Sequence, residues 1–527
     1  MDMKTIKKLM TLVLSIAMVL AMSVTAFAED ATTSTYKITI TNATAGHTYE
    51  AYQIFVGELA KKDNKLILSN MEWGNGITSD GITNLNVDAK TKAESLTDEA
   101  AAVKFTKDVA GYLQNPVPSN FQNSEYVISL SEPGYYLVKD KDNTLSDKDD
   151  FYTAYIMQVV GNVRATPKGD KPTLEKQIKH NDNGNWGVVG DNQIGDTVEF
   201  RTITTVPDTQ GYTKYNYIIH DKMSEGLTSN VSNNNANNNI VIKVNDDDQE
   251  VLDQKYYNVE VDPENSNKFS ITVNILQAIE DGIIESGNSL YTYYTGTLNS
   301  SALIYDEGKQ NNIAYLEYSN NPNKTDEKGK TPEKKVYDWT FKMEVNKIAG
   351  DNTQLDGAKF VLSRTSNLGN LKSADIDTNA KQVQDKLIKF VQGRDKTTGK
   401  MTYTVSAKGT VYEIVAGDVI IKGLDDAVDY YLYETKAPEG GYNKLEGPTK
   451  FKISAEYNPT GDECETVKAE INGERDKELK VDVINNQGST LPSTGGMGTT
   501  IFYVVGTILV LAAVVLLITK KRMHADK

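Results

Sequence analysis

Hydrophobic and polar residues alternate in short runs along most of the chain. "TYKITITNA", "EYVISLS", "DTVEFRTITTV", "KFSITVNIL" and "KFKISAEY" show the pattern, and Gly, Asn and Asp punctuate the runs. A period of two turns one face of an extended strand to a core and the other to water. Many short strands of this kind predict an all-β protein of tandem immunoglobulin-like β-sandwiches. The 29 Tyr against 12 Phe suit strands with one wet face. A helical period holds only over short stretches, for example 97–115 and 381–393.

Two apolar segments near the ends break the alternation. "TLVLSIAMVLAMSV" follows Lys4, Lys7 and Lys8 and precedes the small-x-small triplet "AFA". That order predicts a secretion signal cut between Ala28 and Glu29. "TIFYVVGTILVLAAVVLLIT", 500–519, is long enough to cross a bilayer. Lys520, Lys521 and Arg522 follow it and are expected to stay cytoplasmic.

Composition narrows the function. The 527 residues leave room for about three domains. A net charge of -16 excludes the basic face that nucleic-acid binding needs. The lone Cys464 gives an exported chain no intramolecular disulfide. His47, His180, His220 and His524 show no metal-ligand spacing, and "NDDDQE" lacks the EF-hand pattern and reads as a hairpin turn. No metal and no cofactor are expected. With no Ser/His/Asp set, metal cluster or phosphate loop, the chain does not read as an enzyme.

Five segments follow: 1–28, the signal; 29–167; 168–325; 326–488; and 489–527, which holds the apolar span and basic tail. "TDEKGKTPEKK", 325–335, reads as a charged linker and "SNVSNNNANNN", 229–239, as a polar loop.

Candidate chemistry lies in the third and fourth segments. Each has a Lys on its first strand, an acid on an apolar strand and an Asn at the end of its last strand. In 326–488 these are Lys347, Glu434 in "YYLYETKAPEGGY", and Asn485 in "VDVINNQG". In 168–325 they are Lys176 in "TLEKQI", Asp221 in "IIHDKM", and Asn320 in "EYSNNP", with Lys179 and Asn321 as neighbouring alternatives. Burial lowers the pKa of an amine and raises that of a carboxyl. A neutral Lys can then attack an Asn amide polarised by a protonated acid, releasing ammonia and leaving a Lys–Asn amide. The Tyr residues around Glu434 are expected to form its dry wall. "GYYLVKD", 134–140, aligns with "DYYLYET", 429–435, and sets Lys139 where Glu434 stands, so the first domain is expected to lack the bond.

"LPSTG", Leu491, Pro492, Ser493, Thr494 and Gly495, with the span and basic tail after it, resembles the cell-wall sorting signal of Gram-positive surface proteins. "YYLYETKAPEGGY" resembles the E-box of sortase-assembled backbone pilins, with Gly441 as an extra residue. "GDTVEFRTIT" and "HDKMSEGLT" resemble their CnaA-like middle domain, and "TNATAGHTYEAYQIFVGEL" their amino-terminal domain. The resemblance implies a secreted, wall-anchored pilus subunit with a CnaA-like and a CnaB-like domain, each holding an isopeptide bond. A sortase would cut after Thr494 and join it to a lysine of another copy. That lysine is Lys168 in "VRATPKG", a degraded pilin motif, with Lys171 as the alternative. Partners implied are sortase, other copies of the chain, minor or tip pilins, peptidoglycan, and host or microbial surface ligands. A monomeric or minor wall-anchored adhesin built from the same modules is the alternative reading.

Overall fold

The computed structural model describes residues 36–488, short internal segments excepted, and 498–523. The signal and its Ala28/Glu29 cut, the 166–170 segment with Lys168, and the LPSTG pentapeptide lie outside the described residues.

The alternating runs become strands, and the strands stack as paired sheets. The first section pairs a sheet ordered Asn120–Gln122, Glu125–Leu130, Tyr36–Ile40, Val163–Ala165 with one ordered Lys65–Trp73, Tyr49–Lys62, Gly134–Asp140, Ala154–Val159. Ile38, Ile40 and Ile128 of one meet Tyr49, Tyr136 and Val138 of the other in a single buried cluster. Helices Ser79–Leu85, Ala89–Glu94 and Glu99–Val109 cover the outer side with a second cluster around Phe55 and Phe105.

The middle section is also a sandwich. Leu174–Lys179, Thr197–Thr205 and Ser289–Leu298 run side by side in one sheet. Gln310–Ser319, Tyr217–Met223 and Lys268–Val273 do so in the other. Residues expected as a linker and as the start of the next domain belong here. Lys328–Lys330 and Lys334–Trp339 both pair with Gln310–Ser319. The reason is visible in 334–339, where Val336, Asp338 and Trp339 are buried. The charges of the segment mark its wet edge, not a break in the fold. "NDDDQE" is the expected turn, closed by Val244 N–H to Glu250 O at 2.8 Å.

The chain divides into two compact units. One is Met1–Phe341 with Glu456–Thr466, and the other is Lys342–Ala455 with Val467–Lys527. The last section therefore begins near Lys342 and not at 326. Its sheets are ordered Phe390–Arg394, Met401–Val405, Asp418–Leu424, Phe341–Ala349, Lys480–Asn485, and Ile414–Ala416, Ala358–Ser363, Asp429–Lys436, Thr449–Tyr457, Cys464–Ile471, Glu474–Lys477. The helix expected over 381–393 is a single turn, Lys381–Gln384, and Phe390–Arg394 is a strand. Ser363 and Ile388 draw this stretch to the sheet through a backbone bond from Ile388 N–H to Leu362 O at 2.9 Å and a bridge from Ser363 to Leu387. The apolar C-terminal run is a helix, Gly498–Met523, of which Phe502–Arg522 is long and apolar enough to cross a membrane.

Candidate functional site

Lys176 and Lys347 are the buried lysines among the described residues. Each stands where strand alternation calls for an apolar side chain. Leu174 and Ile178 flank Lys176 on the inner face, and Met343 and Val345 precede Lys347. An ammonium there loses hydration that a protein interior does not replace, so each is held toward the neutral amine. Burial brings Lys347 down to about 8, against the opposing pull of Glu434. It also depresses Lys176, with Asp221 opposing.

In the second unit, Phe341–Ala349 and Lys480–Asn485 are parallel neighbours, with Lys347 opposite Val483. Lys347 Nζ donates to Val483 O at 2.8 Å and to Asn485 Oδ1. The facing sheet supplies Glu434, whose Oε1 is 4.0 Å from Nζ. Asn485 Nδ2 donates to both Glu434 oxygens at 3.0 Å and to Asn443 O at 2.8 Å. All three side chains are fully enclosed, at 0 or 1% exposure. The turn after Glu434 seals the site. Gly440 and Gly441 adopt φ of 100° and 80°, a region closed to most side chains. The chain then folds back so that Leu445 N–H donates to Glu434 Oε2 at 2.7 Å and Asn443 N–H to Asn486 O at 2.9 Å. Gly441 thus lies in the turn that brings Asn443 and Leu445 back over the acid. The expected Tyr wall is only partly there. Tyr430 and Leu432 share the inner face with Glu434, whereas Tyr433 packs outward against Val361, Leu368 and Val383.

The middle section wires the same three groups differently. Lys176 comes from one sheet, and its Nζ donates to Asp221 Oδ2 of the other at 2.8 Å. Both side chains are wholly buried. Burial raises the Asp221 carboxyl, with Lys176 opposing. Lys179, the alternative, lies outside on Glu199 at 3.0 Å.

Asn320 is not the amide at this site. Asp221 sits opposite Ala314 on the neighbouring strand. Asn320 is six residues further on, or about 20 Å at the rise of a β-strand. Its backbone O instead accepts from Tyr152 N–H at 2.9 Å. Asn321, the other alternative, donates to Glu327 at 2.8 Å. The amide beside Asp221 is Asn312, opposite Met223 on the same inner face. It is fully buried; burial raises both Asp221 and Tyr294, and the neighbouring Asn312 opposes that rise slightly at each. Neither its Nδ2 nor its Oδ1 makes a well-formed hydrogen bond among the described residues. A buried amide left so costs free energy and calls for an explanation. Alternation could have found it, because "NIAYLEY" puts Asn312 in line with Ala314, Leu316 and Tyr318.

In the first section the aligned Lys139 points outward and donates to Asp142 at 3.0 Å. The buried acids there are Asp140, bonded to His47 Nδ1 at 2.8 Å, and Glu50, which accepts from the Tyr52 hydroxyl at 2.8 Å.

A chain of β-sandwiches ending in a sorting pentapeptide, apolar helix and basic tail is a cell-wall-anchored surface protein. Residues 484–524 match the LPXTG cell wall anchor motif family. The trypsin-resistant surface T6 protein of Streptococcus pyogenes serotype M6 is 25% identical over 338 residues, 58% of this chain and 60% of the relative. The chain thus spans about three-fifths of the length of that curated relative. Among solved structures, the T6 backbone pilin of the same serotype aligns at 16% identity and TM-score 0.48, covering 88% of this chain and all of that one. The major pilin SpaD of Corynebacterium diphtheriae aligns at 17% identity and TM-score 0.44, covering 87 and 98%. The anchor match and the T6 relative bear out the resemblance to sortase-assembled backbone pilins.

Proposed function

We propose that the chain is the shaft subunit of a covalent surface pilus, locked by two self-made Lys–Asn amides. The observation that carries the amides is the pairing of each buried lysine with a buried acid and a buried Asn. One set is Lys347, Glu434 and Asn485, and the other Lys176, Asp221 and Asn312 in place of Asn320. In each, the neutral form of the amine, which burial favours, would attack the Asn carboxamide carbon while the acid donates to its oxygen, and ammonia would leave. In the second unit this needs the protonated form of Glu434 and a half-turn of the Asn485 amide, which exchanges Oδ1 and Nδ2. Each reaction runs once, so it is maturation and not turnover. Closing loops of this length adds roughly 5 kcal/mol, by analogy with disulfides.

For assembly, a sortase would cleave after Thr494 and pass the carbonyl to Lys168 of another copy. That head-to-tail contact is heterologous and builds an open filament. The last copy would be joined to peptidoglycan. The reading predicts a ladder of high-mass species in wall extracts, resistant to boiling in detergent. Lys168→Ala should collapse the ladder to a single band. A ladder that survives would move the linkage to another lysine, Lys171 first. A single band from the unaltered chain would favour the monomeric adhesin.

A further inference from the structure

The middle-section site holds a fourth polar group, Tyr294. Its strand, Ser289–Leu298, lies in the sheet of Lys176, and Tyr294 pairs with Phe200 next to it. The phenol is 2% exposed. Its hydroxyl bonds Lys176 Nζ and also Asp221 Oδ2, the oxygen that Nζ itself reaches at 2.8 Å. Its ring lies below the amine, with Nζ 4.8 Å from the centroid. Asp221 Oδ1 has no hydrogen-bond partner among the described residues. One carboxyl oxygen is thus engaged by the amine and the phenol, and the other is left for the amide. Among the described residues, no tyrosine hydroxyl bonds Lys347 or Glu434.

We infer that Tyr294 is a catalytic residue of the middle-section amide bond, passing the proton that Lys176 must lose to Asp221. The inference rests on the Lys176–Asn312 reading above. The protons balance as follows. Neutral Nζ bonds to Asn312 Cγ, the carbonyl pair moves to Oδ1, and Oδ1 takes the proton of Asp221. Nζ, now cationic, gives a proton to the Tyr294 oxygen as the Tyr294 hydroxyl gives its own to the Asp221 carboxylate. Asp221 then protonates Nδ2, the Cγ–Nδ2 bond breaks, and ammonia leaves. The proton on Oδ1 returns to Asp221 as the carbonyl re-forms. Asp221 and Tyr294 end as they began, and the net change is one amide exchanged for another with loss of ammonia. Burial beside Asp221 raises the phenol far above its ordinary range, so it acts as a relay and never as a free phenolate.

The test follows bond formation over time in the full-length chain, made by cell-free synthesis in detergent, digested and read by mass spectrometry. The unaltered chain should yield a branched peptide joining Lys176 and Asn312. Tyr294→Phe keeps the ring and should slow this peptide at least tenfold, while the Lys347–Asn485 peptide appears at the usual rate. 3-Fluorotyrosine at 294 keeps the shape and makes the hydroxyl more acidic, and should change the rate at least twofold. Tyr294→Phe linking at the normal rate overturns the inference and leaves the Lys176–Asn312 reading intact. So does a slow Phe variant with an unaffected fluorotyrosine chain, which would mean packing alone. Absence of the Lys176–Asn312 peptide from the unaltered chain overturns the underlying reading and this inference with it.

Discussion

Glu434→Gln is expected to leave Lys347 and Asn485 unlinked, with one ammonia fewer lost from the intact chain. The substitution preserves size and can still meet the Asn485 amide, which now lies 3.0 Å from both Glu434 oxygens. What it removes is a group that gives up a proton and takes it back. Lys347 and Asn485 stand 138 residues apart, so the unlinked second unit should lose roughly 5 kcal/mol. It also keeps a buried amine whose partner acid has gone, which adds to the loss. Intact mass and thermal unfolding together check this. A Glu434→Gln chain that still loses both ammonias would sink the acid's role, whatever its melting temperature.

The second large effect separates two asparagines. Asn312→Ala should abolish the middle bond and lower the stability of that section by a similar amount. Asn320→Ala should leave the bond in place, because its side chain starts about 20 Å along the strand from Asp221. Digestion and mass spectrometry of the two variants decide between them. A branched peptide ending on Asn320, or a linked Asn312→Ala chain, would restore the partner expected from sequence.

The sandwiches were legible because period-two alternation is dictated by burial of one sheet face, and Val, Ile and Tyr repeat it along nearly every strand. Lys176, Lys347 and Glu434 were legible for the complementary reason, since each is a charge standing at an apolar position. For Asn312 alternation marks an inward-facing side chain, in line with Ala314, Leu316 and Tyr318, but does not say which acid it meets. In the second unit the strand-end Asn485 lies on a parallel neighbour of the Lys347 strand, and the acid faces them. In the middle section the acid and the amide share a sheet, and antiparallel register alone decides which Asn meets Asp221. Register depends on pairing between distant segments, which no local pattern records. The boundary near 342 escaped for a related reason: 334–339 carries exposed lysines on one side and Val336 and Trp339 on the other.

The two proposed amides fall at different places along the chain and would give the two sandwiches different mechanical compliance. A pull on the ends of the second unit would travel from Lys347 directly into Asn485, so almost nothing between them can pay out. In the middle section the proposed tie would stop at Asn312. The remainder of Gln310–Ser319, with Lys328–Lys330 and Lys334–Trp339, would stay in the load path, held by noncovalent contacts alone: the burial of Leu316, Tyr318 and Val336 and the hydrogen bonds to Tyr217–Met223 and Val189–Asp191. These strands can peel under load and reseat when it falls, while the covalent tie caps the extension at roughly 90 Å, the contour length of the released residues. Single-molecule stretching should show that short, reversible step, and a middle section that does not lengthen at all would argue for a tie beyond Asn312.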